Sequence, residues 1–178
     1  MKWCILGVLL AARSLWSADN AAPISVCEAL SHRTEYSSHL ITVRGEVKGG
    51  GHGAWLVASE DCRFKLVTKG LTWSNIIYLT YPENRSPLQE DHADFQVDWK
   101  SIQKAADAAR EARFDPEKDR IFETFVGLFV TYFDLENRVS AGIPGALKLG
   151  FGPVGLEAPA QLLIKSKSAV EVVRGRAK

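Results

Sequence analysis

The sequence predicts a mainly β protein: a five-stranded closed barrel, with a helix between the third and fourth strands and a short helix ahead of the first. Three observations carry that reading. Leu40 to Lys48 alternates, with Ile41, Val43 and Val47 on one side, Gly45 between them, and Thr42, Arg44, Glu46 and Lys48 on the other. Successive side chains of a strand point to opposite faces, so this is the pattern of a half-buried strand. The glycine run GGGHG then separates it from a second β-prone run, Ala54 to Ser59. Further on, one amphipathic segment from Asp98 to about Arg113 interrupts the succession of β-prone runs.

Lys2 precedes ten apolar residues, Trp3 to Ala12. That is well short of the ~20 residues a membrane-crossing helix needs, and a basic start with small residues behind it fits an export signal. Residues 1–22 are read as a signal peptide cleaved between Ser17 and Ala22, with a short buried N-terminal helix as the alternative. Ser25, three residues before Glu28, opens a helix by the capping-box pattern, and that helix ends near His32. Tyr36 and Leu40 lead into the first strand. The second run places Trp55 and Val57 on one face and Ala54, Leu56 and Ala58 on the other. Arg63 to Val67, where Phe64 and Leu66 alternate with Arg63 and Lys65, is read as the third strand, and Ile76 to Leu79 is a further β-prone run.

Pro82 to Val97 is polar and punctuated by two prolines, so it is expected to be a long loop; such loops in compact domains are functional or disordered. Asp98 caps the next helix, with Val97 and Ile102 at the staple positions and Ile102, Ala105, Ala106, Ala109 and Ala112 along its apolar stripe. Ile121 to Asp134 is the longest strand. Its central Gly127 marks a bulge or a bend. A glycine-rich loop, Ala141 to Gly155, precedes the last strand, Ala160 to Val173, and the basic tail 174–178 is expected to fray. Residues 23–173 thus form one domain.

A helix between the third and fourth of five strands is the order of an OB-like Greek-key barrel, in which closure removes exposed sheet edges. A mixed α+β sandwich is the alternative. The opening S-V-C-E-A-L, a following Y, L-I-T-V-R-G-E-V, and the closing G-F-G-P-V-G-L-E-A-P-A-Q-L-L-I resemble uncharacterised exported bacterial OB-fold domains. The resemblance spans about residues 25–173, the insert 82–97 excepted. It implies a fold and an envelope location. It brings no catalytic residue with it, and architecture alone does not assign a function.

Charge and cysteines narrow the classes. Lysine plus arginine number 22 against 21 acids, and loss of the signal would remove Lys2 and Arg13 but no acid. The basic excess usual in proteins that neutralise nucleic-acid phosphates is absent. Of three cysteines, Cys4 lies in the signal, which leaves Cys27 and Cys62 as a pair in a chain bound for an oxidising compartment. They are expected to form a disulfide, two buried thiols being the alternative.

Candidate sites are few. Gly150, Gly152 and Gly155 spell G-x-G-x-x-G, but Pro153 lies inside the motif and no helix follows, so a glycine turn is preferred to a dinucleotide site. The run 49–53 lacks the Lys-Ser/Thr of a phosphate-binding loop. It turns the chain between the first two strands, on the ligand-binding side of an OB barrel, where His52 is a candidate contact. Glu90, Asp91, His92 and Asp94 are the densest group of potential calcium or zinc ligands. Their spacing matches no EF-hand and no H-E-x-x-H helix, and a solvated acidic loop is the commoner reading. Arg44, Lys48, Arg63 and Lys65 are candidates for a small basic patch, with Trp55, Trp73 and Tyr78 as stacking surfaces for bases or sugars. Core aromatics and a solvated charged face are the competing interpretation. The expectation is a non-enzymatic exported module without cofactor that binds a small molecule, a glycan or an envelope protein. Single-stranded nucleic-acid binding and a metal-dependent hydrolase are the alternatives.

Overall fold

The computed structural model describes residues 22–50, 53–68, 71–81, 95–112, 114–115, 118–131, 150–152 and 158–175. Its five long strands are β1 (His39–Gly50), β2 (Gly53–Val57), β3 (Ile76–Thr80), β4 (Arg120–Thr131) and β5 (Ala160–Val173). The helices are α1 (Val26–Ser31), α2 (Arg33–Tyr36) and α3 (Trp99–Glu111). Neighbouring strands run β1-β2-β3-β5-β4 and back to β1, a closed barrel of OB-like order.

β1 closes the ring because it serves two neighbours. Its last five residues pair with β2, from Glu46 opposite Val57 to Gly50 opposite Gly53. Its first nine pair with β4, from His39 opposite Phe129 to Val47 opposite Ile121. Where β2 has not yet begun, Ile24 and Ser25 pair in parallel with Val43 and Arg44. β3 and β5 complete the ring with a short parallel pairing, Ile77–Thr80 against Ala160–Leu163.

The alternation in β1 is realised as read. Ile41 and Val43 are buried with Leu56, Ile77, Leu79, Phe125, Phe129, Leu162 and Ile164, and Val47 packs against this group. α1 contributes Val26, Ala29 and Leu30, and α3 contributes Ile102. Each large apolar side chain so buried is worth roughly 1.5–3 kcal/mol, so the barrel interior is the main source of stability.

Both predicted caps form. The Ser25 hydroxyl accepts from the Glu28 amide at 3.1 Å, and the Asp98 carboxylate accepts from the Ser101 amide at 3.0 Å. The polar stretch after His32 contains a further helical turn, α2, which the sequence did not suggest. Gly127 lies at a register shift: Val126 pairs with Ser166 but Gly127 with Ile164, so Lys165 is left out of the ladder. A Cβ on Gly127 would strike the Leu163 carbonyl, which explains the glycine. The freed Lys165 carbonyl accepts from the Asp98 amide at 2.8 Å, and the Lys167 amide donates to the Ser101 hydroxyl at 3.2 Å. The bulge is therefore what docks the start of α3 on β5.

Two expectations are corrected. Arg63 to Val67 is not a barrel strand; the third strand is Ile76–Thr80. The Asn75 side chain donates to the Phe64 carbonyl at 2.8 Å and to Cys62 Sγ at 3.4 Å, which turns this stretch away from the sheet. It continues into a two-rung hairpin, Val67–Thr68 against Leu71–Thr72. Of the tail expected to fray, residues 174 and 175 are held instead, because Arg174 forms an ion pair with Asp119 and donates to the Ala112 carbonyl at 2.6 Å; residues 176–178 lie outside the described residues. Gly175 also donates its amide to Asp119. Cys27 and Cys62 form the expected disulfide, with Cα atoms 5.7 Å apart, tying α1 to the segment after β2. The signal-peptide reading lies outside the described residues, and no described helix is long and apolar enough to cross a membrane.

Candidate functional site

Strand parity decides which residues of β2 and β3 face outward. Leu56, Ile77 and Leu79 point into the core, so Trp55, Ile76, Tyr78 and Thr80 lie on the opposite face. Register extends that face across the barrel: Trp55 sits opposite Tyr78, Tyr78 opposite Gln161, and Gln161 opposite Val130. The next rung joins Thr80, Leu163 and Leu128. The Trp55 and Tyr78 rings are 6.1 Å apart and inclined at 52°. Gly53 makes room for the tyrosine. Its φ is +140°, and a Cβ there would come within 2.7 Å of the Tyr78 ring.

This outer face is a second, smaller apolar cluster. Leu128, Val130 and Leu163 are buried beneath Phe151 and Ala158, with Trp55, Ile76, Tyr78 and Phe95 packed at its margin. Phe151 and Ala158, from the connection between β4 and β5, are held by two reciprocal backbone hydrogen bonds of 2.9 and 3.1 Å. On this face two polar atoms lack partners. Trp55 Nε1 and Thr80 Oγ1 are buried and, among the described residues, meet no acceptor or donor. A buried polar group left unpaired costs about 1–3 kcal/mol, so two on one face call for an explanation.

The predicted basic patch is not assembled. Arg44 forms an ion pair with Glu171 and reaches the Thr124 hydroxyl at 3.4 Å. Arg120 donates through Nε to Glu46 at 2.9 Å and makes a second bond to the same oxygen, while Lys48 lies 3.8 Å from that carboxylate. Hydrogen bonding to Glu46 and its charge hold the Arg120 guanidinium above its ordinary pKa. Both guanidiniums lie over the Phe122 ring, at 5.9 and 5.7 Å. Arg63 and Lys65 are exposed on the off-barrel segment, so the structure does not place them on a strand face beside Arg44 and Lys48. Trp73 is buried at the hairpin and is core. Of the proposed stacking residues, Trp55 and Tyr78 alone share a face.

His52, Glu90, Asp91, His92 and Asp94 lie outside the described residues, and within those residues no three metal-ligating side chains come together. One pair was missed by sequence reading. Glu123 and Lys167 face the inner side of β4 and β5, 3.2 Å apart and both largely buried. The Lys167 ammonium also lies over Phe125 at 5.0 Å and Tyr81 at 5.8 Å. Burial opposes its charge, but Glu123 and the Tyr81 hydroxyl outweigh burial and raise its pKa. The bulge at Lys165 sets the direction of Lys167, and no local pattern announces such a bulge on β5.

No protein-family model, no curated protein and no solved structure matches the chain.

Proposed function

We propose that this is a non-enzymatic binding module, exported to an oxidising compartment such as the bacterial periplasm or cell exterior, with its ligand on the outer face of β2 and β3. The observation that carries this reading is the pair of unpartnered groups, Trp55 Nε1 and Thr80 Oγ1, set in an apolar, aromatic face. Binding sites are built this way, mostly apolar with a few polar groups that orient the ligand. An indole N–H and a hydroxyl suit a ligand with acceptor oxygens, a small polar molecule or a glycan, better than the apolar surface of an envelope protein. The disulfide supports export, since such bonds persist in oxidising compartments.

A nucleic-acid ligand is less well supported, because Arg44, Lys48 and Arg120 are already paired with carboxylates. The test is a thermal-melting screen of the oxidised protein against oligosaccharides, small polar metabolites and oligonucleotides. A ligand at ~100 times its Kd adds ~2.7 kcal/mol and is visible as a raised Tm. Trp55→Phe and Thr80→Val should each abolish most of that rise. A rise unchanged in both variants would place the ligand elsewhere.

A further inference from the structure

The rung that carries Trp55 and Tyr78 extends one strand beyond the aromatic pair. In β1, Lys48 stands directly opposite Trp55, so four strands place Lys48, Trp55, Tyr78 and Gln161 side by side on the outer surface of the barrel. Neighbouring strands lie about 4.8 Å apart, which puts the Lys48 and Trp55 side chains within reach of one small molecule. The row is rich in donors. An ammonium and an indole N–H can only donate, and the Tyr78 hydroxyl and the Gln161 amide can each donate as well.

Lys48 is also the cation least occupied by its neighbours. Among the described residues, three cations on this side of the barrel, Arg44, Lys48 and Arg120, share two carboxylates, Glu46 and Glu171. Arg44 takes Glu171. Glu46 is buried, and its Oε2 accepts two hydrogen bonds from Arg120. Lys48 approaches only the other oxygen, at 3.8 Å, and its side chain is 63% exposed. That distance is beyond hydrogen-bond length, and an exposed pair of this kind is weak. One positive charge is therefore left over beside the indole.

We propose that the ligand of the β2–β3 face is a small monoanion, a sugar acid or hydroxy acid, whose carboxylate is received by Lys48. The inference rests on that face holding the ligand, and it adds the ligand's charge and the residue that selects it. A carboxylate at Lys48 gains a charge-assisted hydrogen bond, while the oxygens of the rest of the molecule meet the donors of Trp55, Tyr78 and Gln161. A single surplus cation matches a single charge. A run of phosphates would need several cations, and a neutral ligand would gain nothing from the ammonium.

The test is calorimetric titration of the oxidised full chain with glucuronate, galacturonate, N-acetylneuraminate and 4-hydroxyphenylacetate, each beside its methyl ester. We expect at least one acid to bind, and its ester to bind about tenfold or more weakly. Lys48→Met should weaken the acid by a similar factor and leave the ester unchanged, Lys48→Arg should keep most of the affinity, and Trp55→Phe should weaken acid and ester alike. The comparison of acid with ester uses the wild type alone, so it holds even if a variant fails to fold. The proposal is overturned if an ester binds as tightly as its acid, or if Lys48→Met binds the acid as the wild type does; loss of that binding in Trp55→Phe would then leave the β2–β3 face standing as the site. It is also overturned if none of the acids binds. Binding that Trp55→Phe does not change would remove the site and the proposal together.

Discussion

Across the outer surface of β1, β4 and β5, Arg44, Glu46, Lys48, Arg120 and Glu171 form ion pairs with one another, and Phe122 lies beneath two guanidiniums. On the outer surface of β2 and β3, an apolar cluster leaves an indole N–H and a hydroxyl without partners. On the charged face the cations Arg44, Lys48 and Arg120 are each already paired with a carboxylate. The aromatic face has unmet bonding capacity. The two faces thus differ in how far their polar groups are satisfied, which formal charge alone does not show.

The largest expected effect lies on the inner side of the charged half. Lys167→Ala would leave Glu123 buried and unpaired, and should cost roughly 3–5 kcal/mol in chemical denaturation. Lys167→Met, which refills the volume, should cost no less in charge but recover part of the packing over Phe125 and Tyr81. The same pair sets an alkaline limit. The Lys167 pKa is raised in the folded protein, so its stabilisation is full below the ordinary lysine value and is lost as pH climbs through the raised one. A wild-type Tm that declines more steeply at alkaline pH than that of Lys167→Met would show it.

Next in size is the aromatic face, where the expected sign is reversed. Trp55→Phe removes a buried unpaired donor, so the ligand-free protein should be unchanged or stabilised by up to about 1–3 kcal/mol, while ligand binding falls. A destabilised Trp55→Phe would mean that the indole N–H is satisfied in solution, and the contrast between the faces would weaken. Glu46→Gln on the charged face should cost only ~1 kcal/mol, because Arg120 and Lys48 are exposed enough to be solvated, and its effect should shrink in high salt. The smallest effect is at the chain end. Hydrogen bonds from the Asp115 amide and Arg174 hold the Asp119 carboxyl below its ordinary pKa. The closure of residues 174–175 is therefore complete above the carboxylate range and is lost as pH falls through the lowered value, as faster amide exchange at Gly175 should report.

Much of the fold was legible because it is written in local spacing. The parity of Ile41, Val43 and Val47 marked the inward face of β1, Ser25 and Asp98 marked helix starts, and Gly127 marked a bulge or bend in β4, though not the extra residue, Lys165, on its partner. The two remaining cysteines formed the disulfide expected of them. The candidate site was legible only in part. Trp55 and Tyr78 were named, but Thr80 was not, because a hydroxyl in a β-prone run gives no sign of being buried without a partner. Nor could alternation reveal that Arg63 and Lys65 leave the sheet, since the Asn75 side chain that turns them away acts across 11 residues.

Periodicity and composition by themselves thus determined the class of element at most positions and which side of each strand is apolar, because those depend on neighbours two to four residues apart. Only the tertiary structure decided which strands meet, that Glu46 finds Arg120 across 74 residues, and that Lys167 turns inward to Glu123. Such pairings follow from barrel closure and from the register shifts in β4 and β5. Closure joins residues with no fixed spacing in the chain, so no local pattern can encode which charges are neutralised and which polar groups are left without a partner.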